Sequence, residues 1–110
     1  MPTPPRPESK IGNVVEFSPP ISVGEAAKRR GKIKDELWSE IYPDSEWGYY
    51  IYTSQLIEWE NGGRSIRITY YYRPEGAKHW FFGGQYSIDD EPKIIRKVLE
   101  ATLNKNWYAV

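Results

Sequence analysis

The sequence predicts an α+β fold: an antiparallel meander of three to four strands, with two helical segments packed mainly on one face of the sheet. Three observations support this class. Apolar and polar residues alternate throughout residues 64–73, as they do in a half-buried strand. An Asn61-Gly62 pair, a strong short-range sign of a hairpin, joins that segment to another aromatic-rich one. Apolar residues recur at three- and four-residue steps in two further segments, which is typical of amphipathic helices.

Strands are expected where β-branched or aromatic residues are flanked by turn residues. The segments with this composition are residues 10–17, 47–60, 64–73 and 79–87. A Gly83-Gly84 pair in the last of them marks a bulge or a bend. If a two-residue loop at Asn61-Gly62 closes the hairpin, Ile57 lies opposite Ile66 and Ile51 opposite Tyr72.

The first helical segment is predicted from a capping box and an apolar stripe. Ser22 and Glu25 have the S-x-x-E spacing in which each residue bonds the other's backbone amide. The stripe consists of Ala26, Ala27, Arg30, Ile33, Leu37 and Ile41. Pro43 would end this segment, and Gly31 in its middle leaves open whether residues 23–42 form one helix or two.

The last helix is predicted to begin at Pro92, because acidic residues and a proline favour the first turn of a helix. The acidic residues are Asp89, Asp90 and Glu91. Its apolar stripe contains Ile94, Ile95, Val98, Leu99, Thr102 and Leu103. Leu99 lies at the centre of this stripe, so we expect it to be buried under the sheet.

The length of 110 residues corresponds to one small soluble domain of ordinary size. Residues 1–9 contain Pro2, Pro4, Pro5 and Pro7 and little apolar mass. We therefore expect a disordered proline-rich tail over residues 1–9 and a single α+β domain over residues 10–110. A proline-rich tail can also act as a docking ligand, and that alternative stays open.

Charge and composition exclude several classes of protein. Fifteen basic residues balance fifteen acidic ones, which argues against binding duplex DNA or a membrane surface by bulk charge. The absence of cysteine excludes thiol catalysis, cysteine-based zinc sites and disulfide scaffolds. No apolar run is long enough to span a bilayer, and the first residues lack the apolar core of a secretory signal. We therefore expect a cytoplasmic protein without a membrane partner.

No catalytic, metal or cofactor site is expected, so we predict that the protein is not an enzyme. His79 is the single histidine, and it stands among aromatic residues without a neighbouring acid or nucleophile. The cluster of Asp89, Asp90 and Glu91 is accounted for by helix capping. Neither glycine-rich segment has the spacing of a phosphate loop or a dinucleotide fingerprint.

A binding surface is predicted on the sheet face opposite Ile66, Ile68, Tyr70 and Tyr72, where aromatic rings and arginines would alternate. The candidate binding residues are Tyr50, Tyr52, Arg67, Tyr71, Arg73, His79 and Phe81. Tyrosine, phenylalanine and arginine are frequent anchors of protein interfaces, so a protein partner or a homo-oligomer such as a homodimer is expected. The same chemistry would stack single-stranded nucleic acid. In a third alternative, the N-terminal strand or the first helix covers this face.

An alternative nucleic-acid patch lies in the one basic cluster of the chain. It comprises Lys28, Arg29, Arg30, Lys32 and Lys34. Residues 21–41 resemble a helix-turn-helix, in which Ala27 would pack between two helices and Gly31 would make the turn. The simpler interpretation is a solvated helix face, because acidic residues follow directly.

The sequence alone thus predicts an uncharacterised, non-enzymatic binding module of unknown partner. It acts through protein contacts or self-association, with nucleic-acid binding as the alternative function. No family is identified from the residues.

Overall fold

The computed structural model describes residues 3–17, 29–83 and 89–107. They form a five-stranded antiparallel sheet, curled into a half-barrel, together with a single helix. The elements are β1 (Val14–Phe17), β2 (Arg29–Asp44), β3 (Gly48–Trp59), β4 (Arg64–Arg73), β5 (Phe81–Phe82) and α1 (Pro92–Asn104). The strand order is β1-β2-β3-β4-β5, so each strand pairs with its neighbour in sequence.

The predicted α+β arrangement with two helical segments is wrong, because residues 29–44 form the longest strand of the sheet. The helix-turn-helix resemblance fails for the same reason over residues 29–41. Residues 21–28, which include the capping box, lie outside the described part of the chain. One helix remains, and it is the last predicted one.

Two irregularities in β2 break the regular alternation of its side chains between the two faces of the sheet. The register against β3 shifts between Ile33 and Asp35 and again between Trp38 and Ile41. Each shift adds a residue and reverses which side chains face which side of the sheet. Ile33 and Ile41 therefore share one face although Leu37, midway between them, points to the other. The apolar residues at four-residue steps thus belong to a doubly bulged strand, although the same steps are typical of a helix.

Gly31 has a packing role in this strand. A Cβ atom at Gly31 would lie 2.6 Å from the Glu58 carbonyl oxygen and 2.9 Å from the indole of Trp59. The missing side chain lets Trp59 lie against the strand, where it joins Ile33 and Ile57 in a buried core cluster with Val15 beside it.

Several other predictions are confirmed. β4 spans residues 64–73 as expected, and α1 begins at Pro92. The hairpin at Asn61-Gly62 is present, but its loop has three residues, 60–62, since the Trp59 amide bonds the Gly63 carbonyl oxygen. The register consequently differs by one: Leu56, and not Ile57, lies opposite Ile66. In the segment 79–87 only Phe81–Phe82 pairs as a strand, and residues 84–88 lie outside the described part.

The sheet has two faces of different character. α1 packs on the face that carries Tyr52, Ser54 and Ile68, which we call the helix face. The hydroxyls of Ser54 and Thr102 hydrogen-bond at 2.5 Å across this contact. The opposite face carries Ile51, Thr53, Gln55, Arg67, Thr69 and Tyr71. It is the more deeply buried of the two, since Ile51 and Gln55 are both fully buried.

The expected burial of Leu99 is wrong. α1 contacts the sheet through Val98 and Thr102, while Leu99 is 47% exposed and Leu103 is 60% exposed. The C-terminal end of α1 is held by Asp35, whose carboxylate accepts the Trp107 indole N–H at 3.1 Å and lies 3.4 Å from the Lys105 ammonium. With the C-terminal end of α1 held in this way, the Val98–Thr102 ridge faces the sheet.

We therefore expect Leu99→Ala to lower the free energy of unfolding by less than about 1 kcal/mol, because surface positions rarely contribute more. Val98→Ala, one residue away on the buried ridge, should cost about 1–2 kcal/mol. Denaturant melts of the two variants test the rotation of the helix. A larger loss for Leu99→Ala than for Val98→Ala would show that the helix is oriented the other way.

Candidate functional site

An extended N-terminal segment crosses the sheet face opposite the helix. Its residues 4–10, here called the strap, precede β1 in the chain. The strap leads into a turn in which the Asn13 amide bonds the Lys10 carbonyl oxygen. In the same turn, the Gly12 amide bonds the Ile33 carbonyl oxygen at the edge of the sheet. From that edge it runs over the sheet towards the loop before β5. We call the covered surface the strap face.

Glu36 of β2 holds the C-terminal end of the strap. Its carboxylate accepts the backbone amide of Lys10 at 3.0 and 3.3 Å and the hydroxyl of Ser9. It also accepts the indole N–H of Trp38 at 2.7 Å, which fixes its orientation. Charge-assisted hydrogen bonds of this kind are the stronger ones in proteins, so Glu36 is the principal polar anchor of the strap.

The prolines of the strap lie against aromatic and apolar groups. The indole N–H of Trp80 donates to the Pro5 carbonyl oxygen at 2.9 Å. Pro7 is buried. Pro4 lines a cleft together with Tyr49 and Arg73. A proline offers no N–H, so its carbonyl oxygen and its ring are the features that a partner can recognise.

Aromatic rings form the floor beneath the strap. Tyr71 lies at their centre, with ring centroids 5.6 Å from Trp38 and 5.4 Å from Phe82. The ammonium group of Lys10 lies 5.4 Å from the Tyr71 ring centroid, within cation–π distance. Burial raises the pKa of Tyr71, and the nearby Arg67 guanidinium partly offsets this shift.

Arg67 brings a half-buried positive charge to the strap face. Its Nε and Nη2 atoms both donate to the Gln55 side-chain oxygen, at 2.9 and 2.6 Å. Its guanidinium lies 5.4 Å from the Phe82 ring centroid. Burial lowers the pKa of Arg67. None of the carboxylates in the described residues forms an ion pair with it.

The seven predicted binding residues do not share one surface. Arg67, Tyr71 and Arg73 lie on the strap face. Tyr50 and Tyr52 lie on the opposite face, because the true hairpin register differs by one residue from the expected one.

The remaining two predicted residues follow β4. Phe81 pairs with Tyr72 and stacks on its ring, which places it on the helix face, while Phe82 takes the place near Tyr71 that the sequence predicted for Phe81. His79 is exposed in the loop before β5. Neither residue belongs to the floor beneath the strap.

The tyrosines of the helix face attach the start of α1 to the sheet. Tyr42 and Tyr50 stack at 5.4 Å, and Tyr50 meets Tyr52 edge-on at 5.8 Å. The Tyr52 hydroxyl donates to the Asp90 carboxylate at 2.9 Å. Burial and the negative charge of Asp90 raise the pKa values of Tyr50 and Tyr52. This cluster has a structural role.

The basic patch is dispersed along the first half of β2. Arg29 lies 4.3 Å from the Trp59 ring centroid, and Arg30 lies 3.9 Å from the Glu16 carboxylate on the neighbouring strand. Lys32 and Lys34 are exposed. Lys28 lies outside the described part of the chain. Among the four described residues of the patch, Arg29 thus contacts an aromatic ring and Arg30 a carboxylate.

Four residues of the strap face were not predicted as site residues: Glu36, Trp38, Gln55 and Trp80. Glu36 and Trp38 lie in the segment that the sequence predicts as a helix. The predicted hairpin register puts Gln55 on the face opposite to Arg67, whereas the two residues pair in the structure. Trp80 lies in the predicted strand 79–87, and no sequence signal marks it as a site residue. The one useful signal was the proline-rich composition of residues 1–9, for which a docking function was an open alternative.

Within residues 3–17, 29–83 and 89–107, no three His, Asp or Glu side chains come together as a metal site. No helix in this part of the chain is long and apolar enough to cross a membrane. Comparisons with protein-family models, with curated proteins and with solved structures found no match.

Proposed function

We propose that this protein is a non-enzymatic protein-binding module, and that its strap face binds an extended, proline-containing segment of a partner. The observation that carries the proposal is the strap itself, a proline-rich peptide seated on this face of the chain's own sheet. The indole N–H of Trp80 bonds the Pro5 carbonyl oxygen, and the Glu36 carboxylate bonds the Lys10 amide.

The contacts are of the kind that peptide-recognition surfaces use. Proline-rich segments adopt an extended conformation at low entropic cost and dock on grooves lined by aromatic rings. Here Trp38, Tyr71 and Phe82 form such a floor, and Trp80 supplies a donor at its edge. The two polar anchors, Glu36 and Trp80, contact opposite ends of the strap and bind main-chain or short side-chain groups. A peptide with similar prolines can therefore make the same contacts.

The strap would compete with a partner because it is tethered to the sheet. A short tether gives an effective concentration in the millimolar range, so a free peptide must bind more tightly or be present in excess. The strap thereby sets a threshold for partner binding. Loosening the strap without changing its receptor surface should make that surface available.

The hydrogen bond from the Trp80 indole to the Pro5 carbonyl oxygen can be tested by its effect on the strap. Trp80→Phe keeps an aromatic ring but removes the donor to Pro5, and a net hydrogen bond contributes about 0.5–1.5 kcal/mol. The Lys10 amide, which is protected by Glu36, should then exchange its hydrogen about 2–10 times faster. Trp47→Phe is the matched control, since Trp47 is 66% exposed. Unchanged protection in the Trp80 variant would show that the indole does not hold the strap.

The function itself is tested by adding the strap as a separate peptide. A labelled peptide of residues 3–11 is titrated into the full-length chain carrying Pro5→Gly and Pro7→Gly, and its fluorescence anisotropy is measured. We expect saturable binding that weakens at least about tenfold when Glu36→Gln is added, because this change removes a charged acceptor. A scrambled peptide of the same composition should not bind.

The nucleic-acid alternative is addressed in the same assay. The Phe81 and Phe82 rings are half-exposed, and stacking on aromatic rings is the chemistry of single-strand binding. Labelled single-stranded and duplex oligonucleotides replace the peptide. Binding of an oligonucleotide with no binding of the peptide would overturn the proposed function.

A further inference from the structure

Arg67 lies on the strap face near the place where the strap carries Lys10, and it has no ion-pair partner among the residues that the structure describes. Arg67 offers five N–H donors, and only two of its nitrogens are engaged, both by the neutral Gln55 side chain. No carboxylate of residues 3–17, 29–83 or 89–107 pairs with it. Half-buried charges in folded proteins are ordinarily paired. An added anion would therefore give Arg67 the ion pair that the described residues do not supply.

The strap brings a second cation to this part of the face. The Lys10 ammonium lies 5.4 Å from the Tyr71 ring centroid, and Arg67 and Glu36 both act electrostatically on the same tyrosine. The Glu36 carboxylate accepts the Lys10 amide and the Trp38 indole N–H, and it forms no ion pair with Arg67. Glu8, the single acidic residue of the strap, is exposed and forms no ion pair in the described structure. The strap therefore gives Arg67 no ion pair.

The geometry suits a peptide that crosses the strands. Glu36, Gln55 and Arg67 lie opposite one another on three neighbouring strands. Neighbouring strands are about 5 Å apart, so Glu36 and Arg67 mark two points about 10 Å apart. A peptide residue whose amide bonds Glu36, as that of Lys10 does, can direct its own acidic side chain across Tyr71 towards Arg67. The planar guanidinium fork matches a carboxylate in two-point contact.

We propose that the partner segment is acidic, with a carboxylate at the position where the strap carries Lys10, and that Arg67 is the residue that selects it. This inference rests on the proposed peptide-binding function and adds the charge of the ligand to it. A partner with this charge gains an ion pair that the strap lacks, which explains how it displaces a tethered competitor.

The test uses three peptides of residues 3–11 that differ at one position, carrying Lys, Gln or Glu where the strap has Lys10. Each is titrated into the full-length Pro5→Gly/Pro7→Gly chain at low and at high salt. We expect the Glu peptide to bind at least about tenfold more tightly than the Lys peptide at low salt. The difference should shrink as salt screens the pair.

Arg67→Gln should reduce the Glu-to-Lys ratio to about one. Arg64→Gln is the matched control, since Arg64 is an exposed cation at the start of the same strand, and it should leave the ratio unchanged. If the glycine chain does not fold, the wild-type chain gives the same ratio, because its strap competes with every peptide equally.

Equal affinities for the three peptides would overturn the acidic-ligand inference and leave the peptide-binding function standing. A ratio that survives Arg67→Gln would assign the selectivity to another cation and overturn the role of Arg67. Failure of all three peptides to bind would overturn the proposed function as well.

Discussion

Tyr71→Ala is expected to lower the free energy of unfolding by about 3–5 kcal/mol, the range for truncating a large buried aromatic residue. Tyr71 is only 9% exposed and contacts Trp38, Phe82 and Lys10. Its removal would open a cavity between the sheet and the strap. Since folded domains are stable by only about 5–15 kcal/mol, such a loss would be a large share of the total.

Tyr72→Ala is the matched control for that prediction. Tyr72 has the same side chain at the next position of β4, but it is half-buried on the helix face and stacks on the exposed Phe81. We expect it to cost about 1–2 kcal/mol, clearly less than Tyr71→Ala. Urea melts of both variants give the comparison. Equal losses, or a larger loss at Tyr72, would show that the strap does not cover Tyr71.

Gly48→Ala is expected to cost about 2–5 kcal/mol, through backbone strain and a steric clash together. Gly48 has a φ of +109°, in a region that side chains rarely occupy. A Cβ atom there would clash with the Arg73 carbonyl oxygen and lie 2.6 Å from the Glu75 amide nitrogen. Both obstacles are backbone atoms, so the turn before β3 would have to move away from the end of β4.

Gly62→Ala separates the two contributions. Gly62 also has a positive φ, of +90°, but a Cβ atom there would meet nothing within 4 Å. It should therefore cost only about 1–2 kcal/mol, the strain alone. Thermal melts of the two variants check the difference. Similar losses at both positions would mean that the Gly48 turn does not pack against the end of β4.

The sequence was a good guide where a local signal coincided with the tertiary structure. The alternation of residues 64–73 and the turn at Asn61-Gly62 reflect β4 and its hairpin directly. Pro92 likewise marks the start of α1, although the side chain of the N-cap residue Glu91 makes no capping hydrogen bond. Each signal reports on backbone geometry that neighbouring residues determine, so no knowledge of distant contacts is needed.

β2 could not be read in the same way. Ile33, Leu37 and Ile41 follow one another at four-residue steps, which suit a helix, whereas the two bulges of β2 depend on the partner strand and not on local propensity. The two-face assignment failed for a related reason. A hairpin loop of three residues instead of two shifts the register by one and moves Tyr50 and Tyr52 to the helix face.

The strap is the part of the candidate site that sequence reasoning could least predict. Its contacts join residues far apart in the chain, such as Pro5 with Trp80 and Lys10 with Glu36. Prolines carry no periodic apolar pattern, so nothing in residues 1–9 indicates which surface they meet. Arg67, which forms no ion pair with the described residues, was among the expected binding residues, but its importance depends on which acidic groups lie nearby, and only the fold determines that.

The most direct measurement of the central claim is an NMR titration of the full-length Pro5→Gly/Pro7→Gly chain with the peptide of residues 3–11, followed through its five tryptophan indole N–H signals. Trp38 and Trp80 bond the groups that hold the strap, whereas Trp47 is exposed and Trp59 and Trp107 bond Ser65 and Asp35. We predict that the signals of Trp38 and Trp80 shift together and saturate, while the other three stay in place. Stationary signals for Trp38 and Trp80, or shifts confined to Trp47, Trp59 or Trp107, would contradict peptide binding at the strap face.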